Sequence, residues 1–211
     1  MTTAADKPVD RAREVREFWF GRPPLTAESL RQRQALWWAA SPESQRVWDE
    51  AIRARFGTLV EQAASGTLDA WADSPRRRLS LILLLDQFPR HIYRGTARAF
   101  AADAKALGLS LTGIQSGADA ALECLERLFF YMPLQHAEAR EVQEESVTAF
   151  RRLQEEAPKL LRATLTASLK AALEHRSVIE RFGRFPSRNR ALGRPTTPEE
   201  QDFLKSADNE F

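Results

Sequence analysis

Three short segments hold the residue types that can move protons or grip an anion. The stretch LSLILLLDQFPRHIYRGTARAF (residues 79–100) is apolar on every face until Asp86, with Arg90 and Arg94 close behind. Pro89 cannot continue a helix, so Asp86 is expected in a last helical turn. A carboxylate there opposes the helix dipole at a cost of about 0.3–1 kcal/mol and needs a cationic partner. Arg90 and Arg94 are the near candidates.

The second segment, YMPLQHAEAREVQ (131–143), predicts a new helix after Pro133, starting near His136. On that helix His136 and Gln143, seven residues apart, point within about 20° of each other. They share an edge of a buried face that runs on through Ala139, Val142, Ser146, Phe150 and Leu153. The positive end of a helix disfavours imidazolium, so His136 is expected neutral and suited to act as a general base or as a donor to an anion. The third segment, RFGRFPSRNRALGR (181–194), carries five arginines, and from 176 to 194 six arginines face one acid, Glu180. Guanidinium forks of this kind grip phosphate or carboxylate oxygens. Each segment also has a plainer reading: an Asp–Arg pair sealing a helix end, a capping histidine, and an arginine brace for the last helix.

Composition narrows the classes. With 31 basic and 29 acidic side chains the net charge is +2, so any basic function is local, and nucleic-acid binding ranks third despite Phe182 and Phe185 among the arginines. The basic residues comprise five lysines and 26 arginines. His91, His136 and His175 have no metal-ligand spacing, and neither a phosphate-binding glycine loop nor a G-x-S-x-G elbow occurs, so neither metal nor cofactor is expected. The single cysteine, Cys124, permits no internal disulfide and reads as a small buried thiol in mid-helix. The polar start MTTAADKPVDR argues against a secretory signal, and residues 79–85 are too short to span a membrane, so a cytoplasmic location is expected. Oligomeric state is not legible.

The elements that must position these residues are helical. Ser41-Pro42, Ser74-Pro75 and Thr197-Pro198 each pair an N-cap hydroxyl with proline at the first helical position, and Glu200 completes a capping box with Thr197. Gly66 reads as the stop of a helix from Pro42, and Gly57 weakens it near the middle. Further helices are predicted over about 8–20, 26–39, 75–87, 97–107, 118–131, 136–156 and 159–182. Eight or nine helices joined by short loops make an all-α bundle or array, a single domain over 1–211. No 34-residue period is present. The five tryptophans, at 19, 37, 38, 48 and 71, read as core and groove anchors.

The stretches EFWFG, LLLDQFPRHIYRGTARAFAAD, MPLQHAEAREVQEESV and HRSVIERFGRFPSRNRALGRPTTPEEQDFL are similar to those of a bacterial family catalogued as domain of unknown function 924. The resemblance implies a tetratricopeptide-like helical array with no established reaction. It marks Asp86, Gln87, Arg90, Tyr93 and Arg94; His136, Glu138 and Gln143; and His175, Arg181, Arg184, Arg188 and Asn189. Ala137, Ser187 and His91 stand where members usually carry serine, histidine and asparagine.

Residues and resemblance together suggest a small-anion site for a carboxylate or phosphate ester, lined by Arg90, Arg94, Gln143, His175, Arg181, Arg184, Arg188 and Asn189. If the protein is an enzyme, His136 is the acid/base, Asp86 or Glu138 supports it, and hydrolysis without a cofactor is the reaction class. The alternative is an interaction module that reads an acidic peptide.

Overall fold

The structure, a computed structural model, describes residues 10–38 and 41–206, so the polar N-terminal stretch up to residue 9 lies outside the described residues. The described chain is helical: α1 (Arg11–Phe20), α2 (Ala27–Trp37), α3 (Pro42–Ala64), α4 (Pro75–Ile82), α5 (Phe88–Ile92), α6 (Asp103–Gln115), α7 (Cys124–Gln135), α8 (Arg140–Glu155), α9 (Arg162–Phe182), α10 (Asn189–Leu192) and α11 (Pro198–Lys205). The hydroxyls of Ser41 and Thr197 cap α3 and α11 as the sequence predicts, and Glu200 closes the box at Thr197. Ser74 starts α4 without a side-chain cap. Gly66, at φ 91°, follows the end of α3, and that helix runs through Gly57 unbroken.

Two prolines do not end their helices where the sequence suggests. The helix from Pro75 does not stop before Pro89; it widens into a π turn, Leu83–Gln87, and resumes as α5 with Pro89 in its first turn. In the π turn the Phe88 N–H reaches back five residues to the Leu83 carbonyl. That extra residue relieves the clash a proline ring otherwise makes with the carbonyl one turn earlier. Likewise α7 carries Pro133 inside it and ends at Gln135, with the Ser110 hydroxyl donating to the Phe130 carbonyl at 2.6 Å. His136 is therefore the C-cap of α7, and α8 begins only at Arg140. The placement of His136 at a helix N-terminus, sharing a helix edge with Gln143, is corrected.

Two other predicted helices start later than expected because a 3-10 turn precedes each, Ala97–Ala99 before α6 and Ala118–Ala121 before α7. Cys124 is the first, partly exposed residue of α7 and not a mid-helix thiol.

Residues from α1 to α9 share one hydrophobic core. Residues 79–85 are wholly buried at its centre. Trp19 and Trp71 are buried, Trp37 and Trp48 pack partly against the core, and Trp38 is 47% exposed. Helices α7, α8 and α9 pack against one another in chain order. A smaller cluster of Val178, Ile179 and Phe185, with Phe182 and Phe203 against it, seats α11 on the end of α9. No helix among the described residues is long and apolar enough to cross a membrane.

Candidate functional site

The π turn, the end of α7 and the start of α6 converge on one buried charged cluster. Asp86 lies in the π turn and is fully buried. Its Oδ1 is 2.7 Å from Nδ1 of His136 and 3.3 Å from Arg90, and its Oδ2 accepts from Gln87 at 2.6 Å. A carboxylate only accepts, so the His136 Nδ1–H donates and Nε2 is the basic nitrogen of the neutral ring.

Arg90 also forks onto both oxygens of Asp103, at 2.9 Å each. Asp103 is in the first turn of α6, where the helix dipole favours a carboxylate. Arg188, from the turn Pro186–Arg188, reaches the same carboxylate at 3.3 Å and donates to the His136 carbonyl at 3.0 Å. Its guanidinium lies 4.8 Å from the Phe100 ring centroid and 4.5 Å from that of Phe185, a cation–π arrangement on two rings.

Electrostatics follow from burial and these partners. Burial alone would raise the Asp86 carboxyl, but Arg90, His136 and Gln87 hold it below the usual carboxylate range. Burial and the Arg90 cation push His136 down against the pull of Asp86, which keeps it neutral. The sequence reading attributed that neutrality to the positive end of a helix; the cause is desolvation beside a cation. His175, whose ring centroid is 6.4 Å from that of His136, is pushed to about 3 by burial and by His136. Arg188 is lowered to about 10 by burial and by Arg90, whereas Arg90, held by two carboxylates, is raised.

Of the residues singled out from sequence, Asp86, Gln87, Arg90, His136, His175 and Arg188 come together. The others are placed elsewhere. Arg94 binds Asp49, which also accepts from His91, so Arg94 is not the partner of Asp86. Glu138 accepts from the Phe185 N–H at 2.8 Å and takes both arms of Arg194, tying the α7–α8 loop to the C-terminal segment. Gln143 donates to the carbonyls of Gln135 and Ala137 at 2.8 and 2.7 Å, closing the end of α7. Arg181 pairs with Glu199, and Arg184 forks onto Glu200. Asn189 is buried, donating to Glu200 and accepting from Arg194.

Asp103 and Phe100 escaped the sequence reading. Asp103 was findable, being the only acid between Asp86 and Asp119 in a stretch with three arginines. Among the described residues no group of three or more His, Cys, Asp or Glu is placed to hold a metal ion.

An all-helical body with a buried Asp–His–Arg cluster defines the class of this protein. The chain belongs to the family described as bacterial protein of unknown function (DUF924), whose model matches residues 15–208. Among solved structures it is similar to a protein of unknown function from Agrobacterium tumefaciens, at 33% identity and a TM-score of 0.77, over 93% of this chain and 98% of that one. No curated protein matches it.

Proposed function

We propose that the protein binds a small anion, a carboxylate or a phosphate ester, beside Arg188 and hydrolyses it without a cofactor, with His136 as the acid/base. The observation that carries this reading is the 2.7 Å contact between the fully buried Asp86 and Nδ1 of His136. It fixes the tautomer and orientation of the ring and leaves Nε2 to take a proton from water or an ester hydroxyl. Arg188 supports the anion half. It shares Asp103 with Arg90 at a longer 3.3 Å, so burial leaves its charge incompletely compensated, and an incoming anion would supply what is lacking. Arg90 is better read as the residue that holds Asp86 ionised and His136 neutral.

The peptide-binding and RNA-binding readings draw less support, because Arg181, Arg184 and Arg194 are engaged by Glu199, Glu200 and Glu138.

The test is a stability titration with inorganic phosphate, 4-nitrophenyl phosphate and mono-4-nitrophenyl succinate, followed by release of nitrophenol. A bound probe at a hundredfold excess over its Kd stabilises by about 2.7 kcal/mol. The Arg188→Ala variant should lose that stabilisation, and His136→Asn should keep it while losing nitrophenol release. Equal stabilisation of wild type and Arg188→Ala, or none in either, overturns the reading.

A further inference from the structure

A cleft of about 680 Å³ opens between α1, the loop that follows it, the starts of α4 and α7, and the turn Lys159–Leu161. The volume suits a small molecule. Phe20, Leu25, Leu125, Leu160 and Leu161 make its lining mostly apolar, and Arg16 and Arg76 stand in it as cations. Its acids are already engaged. Glu17 pairs with Arg13 at 2.7 Å and with Arg22 at 3.0 Å, and Glu123 and Glu126 form the reciprocal capping box of α7.

Arg16 is anchored through one nitrogen. Its Nη1 donates to the carbonyls of Ala12 and Arg76 at 3.3 and 3.0 Å and to the Ser80 hydroxyl at 3.1 Å, which pins the guanidinium between α1 and α4. Nε and Nη2 have no partner among the described residues, and neither is closed off from solvent. This is the edge with which Arg94 forks onto Asp49 and Arg184 onto Glu200. Its two parallel N–H groups match the two oxygens of one carboxylate. Among the described residues no carboxylate is within ion-pair distance of Arg16 or Arg76. Burial pushes Arg16 below its ordinary value; Glu126 and Asp10 oppose the shift, and the nearby cations Arg76 and Arg13 add to it.

We infer that this cleft binds a small monocarboxylate with an apolar chain, the carboxylate forked by Nε and Nη2 of Arg16 beside Arg76 and the chain laid along Phe20, Leu125 and Leu160. Arg13, Arg16, Arg22 and Arg76 face Glu17, Glu123 and Glu126 across the lining, an excess of one positive charge that a single carboxylate neutralises. The cleft shares no residue with the cluster of Asp86, His136 and Arg188, so the two sites stand or fall independently.

The probes are hexanoate, octanoate and octanamide, titrated into protein carrying ¹⁵N in its arginine side chains and ¹³C in its leucine methyl groups. Octanoate should shift the Arg16 Nε–H and the Leu160 methyl resonances together. It should bind more tightly than hexanoate by about fourfold per added methylene. Octanamide, which keeps the chain and lacks the charge, should bind about tenfold more weakly than octanoate. Arg16→Met should lose octanoate binding, but Arg16 also ties α1 to α4, so a second variant spares that tie. Leu160 is 38% exposed, and Leu160→Glu should fold normally while setting a carboxylate in the path of the chain and abolishing binding. Arg188→Ala should bind octanoate as the wild type does. Absence of an Arg16 shift up to the solubility limit, equal binding of octanamide and octanoate, unchanged binding in Leu160→Glu or in folded Arg16→Met, or lost binding in Arg188→Ala overturns the inference.

Discussion

Arg188 donates to the backbone carbonyl of His136 at 3.0 Å, so the arginine-rich segment near the C-terminus holds the residue that caps α7, 52 positions earlier. The same guanidinium lies against Phe100 and Phe185 and touches Asp103. Position of the histidine and compensation of the buried charge are thus linked through one side chain.

Arg90 is the cation on which this cluster depends. Replacing it by methionine leaves Asp86 buried with His136 and Gln87 as remaining partners and frees His136 from the nearest positive charge. Removing one partner of a buried ion pair costs about 3–5 kcal/mol. Urea unfolding of Arg90→Met should show a loss of that size, and the His136 imidazole should titrate at higher pH by NMR.

The three histidines all have folded-state pKa values below the ordinary one, and burial leads in each case. The unfolded chain then binds protons near pH 6.5 where the folded protein does not, so stability falls as pH drops below 6.5. Depressed carboxylates such as Asp86 act in the same direction at lower pH, since stability they confer is lost as pH falls through the carboxylate range. With His175 at about 3, its share of the loss between pH 8 and pH 5 is about 2 kcal/mol, from about 1.4 kcal/mol per pH unit below 6.5. Urea midpoints across that range should fall, and His175→Gln should flatten the slope.

Glu138 braces the C-terminal segment. It joins the loop after α7 to Phe185 and Arg194, both beyond α9. Its half-buried setting limits the cost of Glu138→Gln to about 1–2 kcal/mol. The effect should be local: amide exchange should accelerate over residues 183–206, with the core of α4 and α7 unchanged.

Gly113 faces Phe130 so closely that a methyl group there would run into the wholly buried ring and press on Arg78. Helix propensity alone would make Gly113→Ala stabilising by about 1 kcal/mol. Overpacking should reverse the sign, to a net destabilisation of about 1–2 kcal/mol measured by thermal unfolding.

The sequence by itself determined the all-helical class, the caps at Ser41 and Thr197, the buried run before Asp86 and the need of Asp86 for a cation, with Arg90 and Arg94 as candidates. These depend on residues within a turn or two of each other, where propensity, capping and periodicity act. It could not place His136, because whether a proline ends a helix depends on what surrounds it. In α7 Pro133 lies inside the last turn without ending it, and before Pro89 the backbone widens into a π turn.

Nor could local charge reveal what the arginines do. Six arginines against Glu180 between 176 and 194 look like unspent positive charge along the chain. In space Arg176 meets Glu144, Arg184 meets Glu200, Arg188 meets Asp103 and Arg194 meets Glu138. Tertiary structure alone decided which arginine stands beside His136. Ion pairing acts over a few ångströms whatever the separation along the chain, and only folding brings those partners within reach.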